Sequence, residues 1–358
     1  MLWVCRVSCL FGLIVDVAGY QIDTGLYAEA GRARPEFANV ALVTSANWAY
    51  RGMLGNWECW AMRHGLRWNV MALDRKMHLA LGDRSFLPPS VRQSELSGEY
   101  TFRSLEFNKV SCAKVEGVLS LLKKNISVVF SDPDNLLLQD PFRVGEELGD
   151  LIANGQSDYI YTINSGRHER NATKRACPRG TNGSWAGEGN TGFYFAKATP
   201  GIIRLFKAVL DMCRSNPEID DQTNFWDAFA LMIKGADHKT AHCDRNLEST
   251  PTTVSYPART AQNTLRWCCL SKQSYATGTT YTDAADFALD RVIAYHANFV
   301  TGIKGKLTKM KNLPIKGIPL GGLGGCHNDL QQYDQTNTFA AHFVQTARNA
   351  GIRMPTET

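Results

Sequence analysis

What this 358-residue chain lacks narrows its class first. It has no run of about 18 apolar residues, so it is not a polytopic membrane protein. Its mean hydropathy of -0.25 agrees. It has no Lys/Arg block of the nucleic-acid type. The 39 basic and 34 acidic residues leave a mild net charge of +5, and nucleic acid is not an expected partner. No Cys-x-x-Cys pair occurs, which argues against structural zinc. No internal repeat is visible. Ten cysteines are too few for a disulfide-built miniprotein. What is present is ordinary: 44% hydrophobic and 20% charged residues describe a globular chain, not a disordered, collagenous or coiled-coil one. At roughly 100–200 residues per domain, one large or two fused domains are expected.

The first residues, 1–19, carry a short apolar stretch from Val7 to Val15 after Arg6, interrupted by Asp16. It is too short to span a bilayer but matches the apolar core of a signal peptide. Val17, Ala18 and Gly19 supply small residues for cleavage. A short signal-anchor, which would hold the chain at a membrane, and a buried first strand or helix are the other readings. Secretory entry, with residence in the Golgi or ER lumen, is the expectation. Removal of Cys5 and Cys9 would leave an even number of cysteines, as an oxidising lumen favours, with their pairing unreadable. Glycosylation sequons stand at Asn125, Asn171 and Asn182. The last two lie in a polar stretch and are the better acceptors.

Short apolar runs bounded by polar residues predict strands over 39–45, 68–73, 127–130, 158–163 and 190–196. Helical spacing predicts helices over 50–65, 77–81, 110–124, 200–213 and 220–233. Gly117 is a mild cost within the third. The stretch 166–189 reads as a long loop or lid, 234–274 as irregular, and the glycine-rich 317–325 as a flexible linker. Alternation of strands and helices predicts an α/β fold with a mostly parallel sheet and helices on both faces. Such sheets bind ligands outside the carboxyl ends of their strands, where Asp74, Asp132 and Asp134 are expected.

The strongest local signal is Ser127 to Phe142, SVVFSDPDNLLLQDPF. Two carboxylates two residues apart after an apolar strand can face one way. As hard oxygen donors they suit a divalent cation bridging a diphosphate. Pro133 has no N–H and belongs at the strand's end. A bare Asp-x-Asp is also a common acidic turn. A His after an apolar run, as His296 stands, is more often structural than a ligand. Gly302, Lys304 and Lys306 downstream favour the ligand reading, because glycine lets backbone approach a phosphate and lysine neutralises it. Asp221 and Gln222 at a helix start also read as an N-cap with first-turn acids. Trp185, among Gly183, Gly187 and Gly189, could stack on a sugar or simply anchor its loop.

Taken together, these blocks resemble the nucleotide-diphospho-sugar transferase family, glycosyltransferase family 77. The resemblance rests on Asp132-Pro-Asp134 with Asp140-Pro-Phe142, on Ala41 to Asn47, on Ala72-Leu73-Asp74 and on Lys114. It continues in order through Asn190-Thr191-Gly192-Phe193, Asp221-Gln222, and His296-Ala-Asn298 with Gly302 and Lys306. It spans about Asn39 to Leu313. Pro133, and the absence of a Trp from Leu136-Leu137-Leu138, depart from the family's pattern. The resemblance implies a GT-A fold, Rossmann-like in its nucleotide-sugar binding, over 36–315, with 316–358 as a C-terminal extension. It implies a UDP-sugar donor, Mn²⁺ or Mg²⁺, retention of anomeric configuration, and a glycan or glycoprotein acceptor. Thr44, Ala46, Asn47, Asp74, Lys114, Asp132, Gly302 and Lys306 would bind the donor. Asp132, Asp134 and His296 would hold the metal. Asn190, Thr191, Gly192 and Trp185 would meet the sugar. Gln222, Asp221 and Lys306 would act in the chemistry, with Gln222 beside the anomeric carbon; the ten-residue spacing from His296 to Lys306 is too long for one helical face and suits a loop that folds over the donor.

Two other classes compete. Haloacid-dehalogenase-type phosphohydrolases also open on an apolar strand ending in Asp-x-Asp. They want Thr or Val four positions after the first Asp, where Leu136 stands. A catalytically silent nucleotide-sugar or glycan binder is the third reading, and no lost metal or phosphate residue supports it.

Overall fold

The structure is a computed structural model, and it describes residues 37–93, 97–143, 145–153, 157–163, 189–232, 265–271, 274–278 and 291–313. The segment 1–19, Asn171, Asn182, Trp185, the glycines of 317–325 and the extension 316–358 lie outside these residues.

The chain opens with β1 (Val40–Ala46), α1 (Arg51–Arg63), β2 (Asn69–Ala72), α2 (Arg75–Leu81) and β3 (Ser85–Phe86). Then come α3 (Leu105–Leu122), β4 (Ser127–Ser131), β5 (Asn135–Leu137), α4 (Glu147–Ala153), β6 (Tyr159–Ile163) and β7 (Gly189–Ala196). It continues with α5 (Pro200–Ser215), α6 (Asp221–Met232), β8 (Trp267–Cys269), β9 (Tyr275–Thr277), β10 (Ala294–His296) and α7 (Gly302–Lys311).

Seven strands form one sheet in the order β3-β2-β1-β4-β7-β6-β8. All run parallel except β7, which is antiparallel to β4 and β6. Every residue of β1 is buried, as a parallel central strand covered on both faces requires. Its side chains alternate. Ala41 and Val43 pack under α3, α5 and α6. Val40 and Leu42 pack toward α1, α4 and a small second sheet, β5-β10-β9. Each fully buried Leu or Val stabilises by about 1.5–3 kcal/mol relative to exposure. This is the α/β architecture of the GT-A expectation, a mostly parallel mixed sheet between helical layers.

Strand order reverses beside β1: β2 and β3 lie on one side, β4 on the other. A crevice therefore opens past the carboxyl ends of β1 and β4. Gly117, costly within a helix, lets α3 lie close on the sheet, because a Cβ there would stand 2.5 Å from the Met71 sulfur.

Three expectations are corrected. The third helix starts at Leu105, not at 110, because Ser104 caps it by accepting the Phe107 N–H at 3.2 Å. The stretch expected to be irregular contains β8, which pairs in parallel with β6. Lys306, expected on a loop folding over the donor, sits within α7, so only a short connection separates it from β10.

Candidate active site

The site is built at the turn that leaves the large sheet. After β4 the Asn135 N–H bonds the Asp132 carbonyl at 3.0 Å, closing a four-residue turn with Pro133 in its second position. Proline favours that position because its φ is already set. The unusual proline of the acidic motif is thus a turn former. β5 then enters the small sheet, where β10 pairs with it antiparallel and sets His296 opposite Asn135. That register brings His296 beside Asp134, with their Nε2 and Oδ1 3.1 Å apart. It also lets the Ala297 N–H bond the Asp134 carbonyl at 3.0 Å. α7 returns over the same turn, and Lys306 Nζ donates to the other Asp134 oxygen at 2.5 Å.

On the opposite side, Lys114 from α3 donates to Asp132 Oδ1 at 3.1 Å and lies 3.7 Å from Asp221 Oδ2. Thr191 joins the strand behind: its hydroxyl donates to Asp221 at 3.3 Å and its N–H to the Gln222 side-chain oxygen at 3.3 Å. Charges divide accordingly. Burial would raise the Asp134 carboxyl, yet His296 and Lys306 hold it well below the usual carboxylate range. Burial raises Asp132, and Lys114 only partly offsets this. Burial opposes the charge of Lys114, but Asp132 and Asp221 keep it above its ordinary value. Lys306 is likewise held up by Asp134 against burial. Both lysines are therefore cations at neutral pH.

The ligand atoms of Asp132, Asp134 and His296 lie within 4.8 Å of one another. Two carboxylates and an imidazole suit a manganese-type divalent cation. Two observations fit such an ion. Among the described residues the buried Nδ1 of His296 has no hydrogen-bond partner. Gly192 borders the same space: a Cβ there would stand 2.4 Å from the His296 ring, 2.7 Å from Asn190 Oδ1 and 2.8 Å from Asp132 Oδ2.

The other expected residues fall around this centre. Asn47, just past β1, donates to the Gly98 carbonyl at 2.7 Å. Thr44 and Ala46 are buried in β1, and the Thr44 hydroxyl has no hydrogen-bond partner among the described residues. Asp74 is 1% exposed. Its oxygens accept the Met77 N–H at 2.7 Å and the Trp48 N–H at 2.5 Å, so it caps α2 and braces the turn after β1. Asn190 accepts the Gly192 N–H at 2.7 Å, which shapes the bend that keeps Gly192 close. Gly302 opens α7 with φ +74°.

Sequence reasoning missed three participants. Asn135 Nδ2 bonds the carbonyls of Asp132 and Gly192, tying β4 to β7; its place directly after the acidic pair was the available signal. Tyr50 lies in the field of Lys306, Asp134 and Asp132, though burial dominates the upward shift of its phenol. Glu99 accepts the Ile303 N–H at 2.7 Å across 204 positions, and nothing local announces it.

The carboxyl edge of the mixed sheet thus gathers two carboxylates, an imidazole and two lysines in one place. The chain belongs to the nucleotide-diphospho-sugar transferase family, whose family model matches residues 66–310. Among characterised proteins it is 25% identical, over 191 residues, to beta-arabinofuranosyltransferase RAY1 of Arabidopsis thaliana. That match covers 52% of this chain and 32% of the relative, so the chain spans about a third of its length. Among solved structures, the glycosyltransferase GlyE of Streptococcus pneumoniae TIGR4 shares 13% identity at a TM-score of 0.43, over 89% of this chain and 65% of GlyE. The galactosyltransferase LgtC, solved with donor and acceptor sugar analogs, shares 12% at 0.38, over 72% and 86%.

Proposed function

We propose that the chain transfers a glycosyl residue from a UDP-sugar to a glycan or glycoprotein acceptor, with retention of configuration. The observation that carries this reading is the convergence of Asp132, Asp134 and His296 at the end of β4, with Lys306 in contact. These three residues would hold a Mn²⁺ or Mg²⁺ ion. The chemistry a bound divalent ion supplies is Lewis-acid neutralisation of the leaving diphosphate. Lys306 adds a second positive charge where the leaving group becomes anionic. Lys114 fixes Asp132 and Asp221 against each other. Gln222, held by the Thr191 N–H, offers its amide toward the anomeric carbon as positive character builds there. With no nucleophile assigned, departure and attack share one face of the sugar.

The five described cysteines, Cys59, Cys112, Cys213, Cys268 and Cys269, are all disulfide-bonded. Disulfides persist in oxidising compartments, which supports a secretory-pathway enzyme. No helix of the described residues is long and apolar enough to cross a membrane. The plant relative's name puts UDP-arabinofuranose first in a donor panel, with UDP-galactose beside it. Incubation with this panel should release UDP in Mn²⁺, and EDTA should abolish release until Mn²⁺ is restored. Full turnover in EDTA would refute the metal assignment.

A further inference from the structure

Phe102 is 53% exposed and Leu105 45% exposed at the amino end of α3, beside the site. A lone exposed apolar residue needs no explanation, but this one is built in. Its ring packs edge-on against Phe107, with centroids 5.2 Å apart. The Arg103 guanidinium carbon lies over one face of the Phe102 ring, 5.2 Å from its centroid. Arg103 adopts φ +66°, a conformation a branched-off Cβ resists. Arg103 Nε donates to Asp220 Oδ2 at 2.8 Å. Asp220 in turn caps α6 by accepting the Thr223 N–H at 3.0 Å, directly before Asp221 and Gln222. The pair is thus pinned to the helix start that carries Asp221 and Gln222. Among the described residues, no hydrogen bond engages the terminal N–H groups of Arg103, whose side chain is 60% exposed.

We infer that Phe102 and Arg103 form a binding subsite for a neutral sugar ring of the acceptor glycan. The occupant follows from the chemistry. The C–H face of a sugar ring stacks on the negative face of an aromatic ring, here the face of Phe102 away from Arg103. The forked N–H groups of a guanidinium match two adjacent hydroxyls. The position agrees. Leu105 opens α3 nine residues before Lys114, about 13 Å along the helix axis. A ring on Phe102 would therefore lie away from Lys114 and the acidic pair, where the proposed acceptor chain would lead off from the site. The placement as an acceptor subsite rests on the proposed function; the sugar-binding chemistry itself does not.

Saturation-transfer NMR with arabinan, galactan and xylan oligosaccharides, in the presence of UDP and Mn²⁺, tests this on the full chain. Wild type should bind at least one class. Phe102→Ala should weaken that binding about tenfold, Phe102→Trp should retain it, and UDP affinity should be the same in all three. Arg103→Gly, which removes the fork and relieves the left-handed backbone, should weaken binding without lowering Tm. Unaltered binding by Phe102→Ala, or no oligosaccharide bound by wild type, would overturn the subsite. Loss of glycan binding in Phe102→Ala by a protein that takes up no UDP would keep the subsite and refute the donor reading instead.

Discussion

Asp134 uses one oxygen on His296 and the other on Lys306, while Asp132 leans on Lys114 from the far side. Between them, Gly192 leaves space that any side chain would fill. Gly192→Ala should therefore weaken Mn²⁺ binding at least about tenfold and cost about 1–3 kcal/mol of stability through overpacking. Mn²⁺ titration by electron paramagnetic resonance, paired with a thermal melt, reads both. Unaltered Mn²⁺ affinity would move the cation elsewhere. Gln222→Ala makes a different demand. A group acting beside the anomeric carbon contributes mainly in the transition state. The variant should lose kcat, roughly 10²-fold or more if it resembles other charge-stabilising groups, with donor KM little altered. A normal kcat would return Gln222 to holding the Thr191 N–H.

At the scale of elements, the ends of helices do the positioning. α3 must begin directly after Ser104 for Arg103 to reach Asp220 at the start of α6, and its cap is a single hydroxyl on the Phe107 N–H. Ser104→Ala should cost about 1 kcal/mol, visible as a lower urea midpoint with an unaltered slope. No change would mean that packing of α3 alone fixes its first turn. The early start was readable in principle from Ser104 with Glu106 in the first turn. The apolar rhythm further along the helix drew the boundary five residues late. β5, β8, β9 and β10 are three residues each, too short to show a period of two.

Across the whole molecule, Cys112 of α3 and Cys213 of α5 are joined over a separation of 101 positions. Closing so long a loop restricts the unfolded chain strongly. Cys112→Ala with Cys213→Ala should lower stability by about 2–5 kcal/mol. Reducing agent should lower the Tm of the wild type, and equal melting with and without it would show that the bridge is dispensable. The bridge holds together the layer that carries Lys114 and abuts α6, so donor affinity should fall with it.

The sequence by itself determined the parallel half of the sheet, the acidic pair at the end of β4 and the family. Each depends on neighbours in the chain: short apolar runs in β1 (Val40–Val43) and β4 (Val128–Phe130), or blocks in a fixed order. Only the tertiary structure decided that Pro133 turns the chain from one sheet to the other, and that β10 pairs with β5 so that His296 meets Asp134 across 162 positions. It alone placed Lys306 on a helix, turned Asp74 to backbone amides, and brought Arg103 to Asp220. Such contacts depend on register and on helix starts, which are set by the packing of distant segments. A short strand carries too few side chains to state its partner locally.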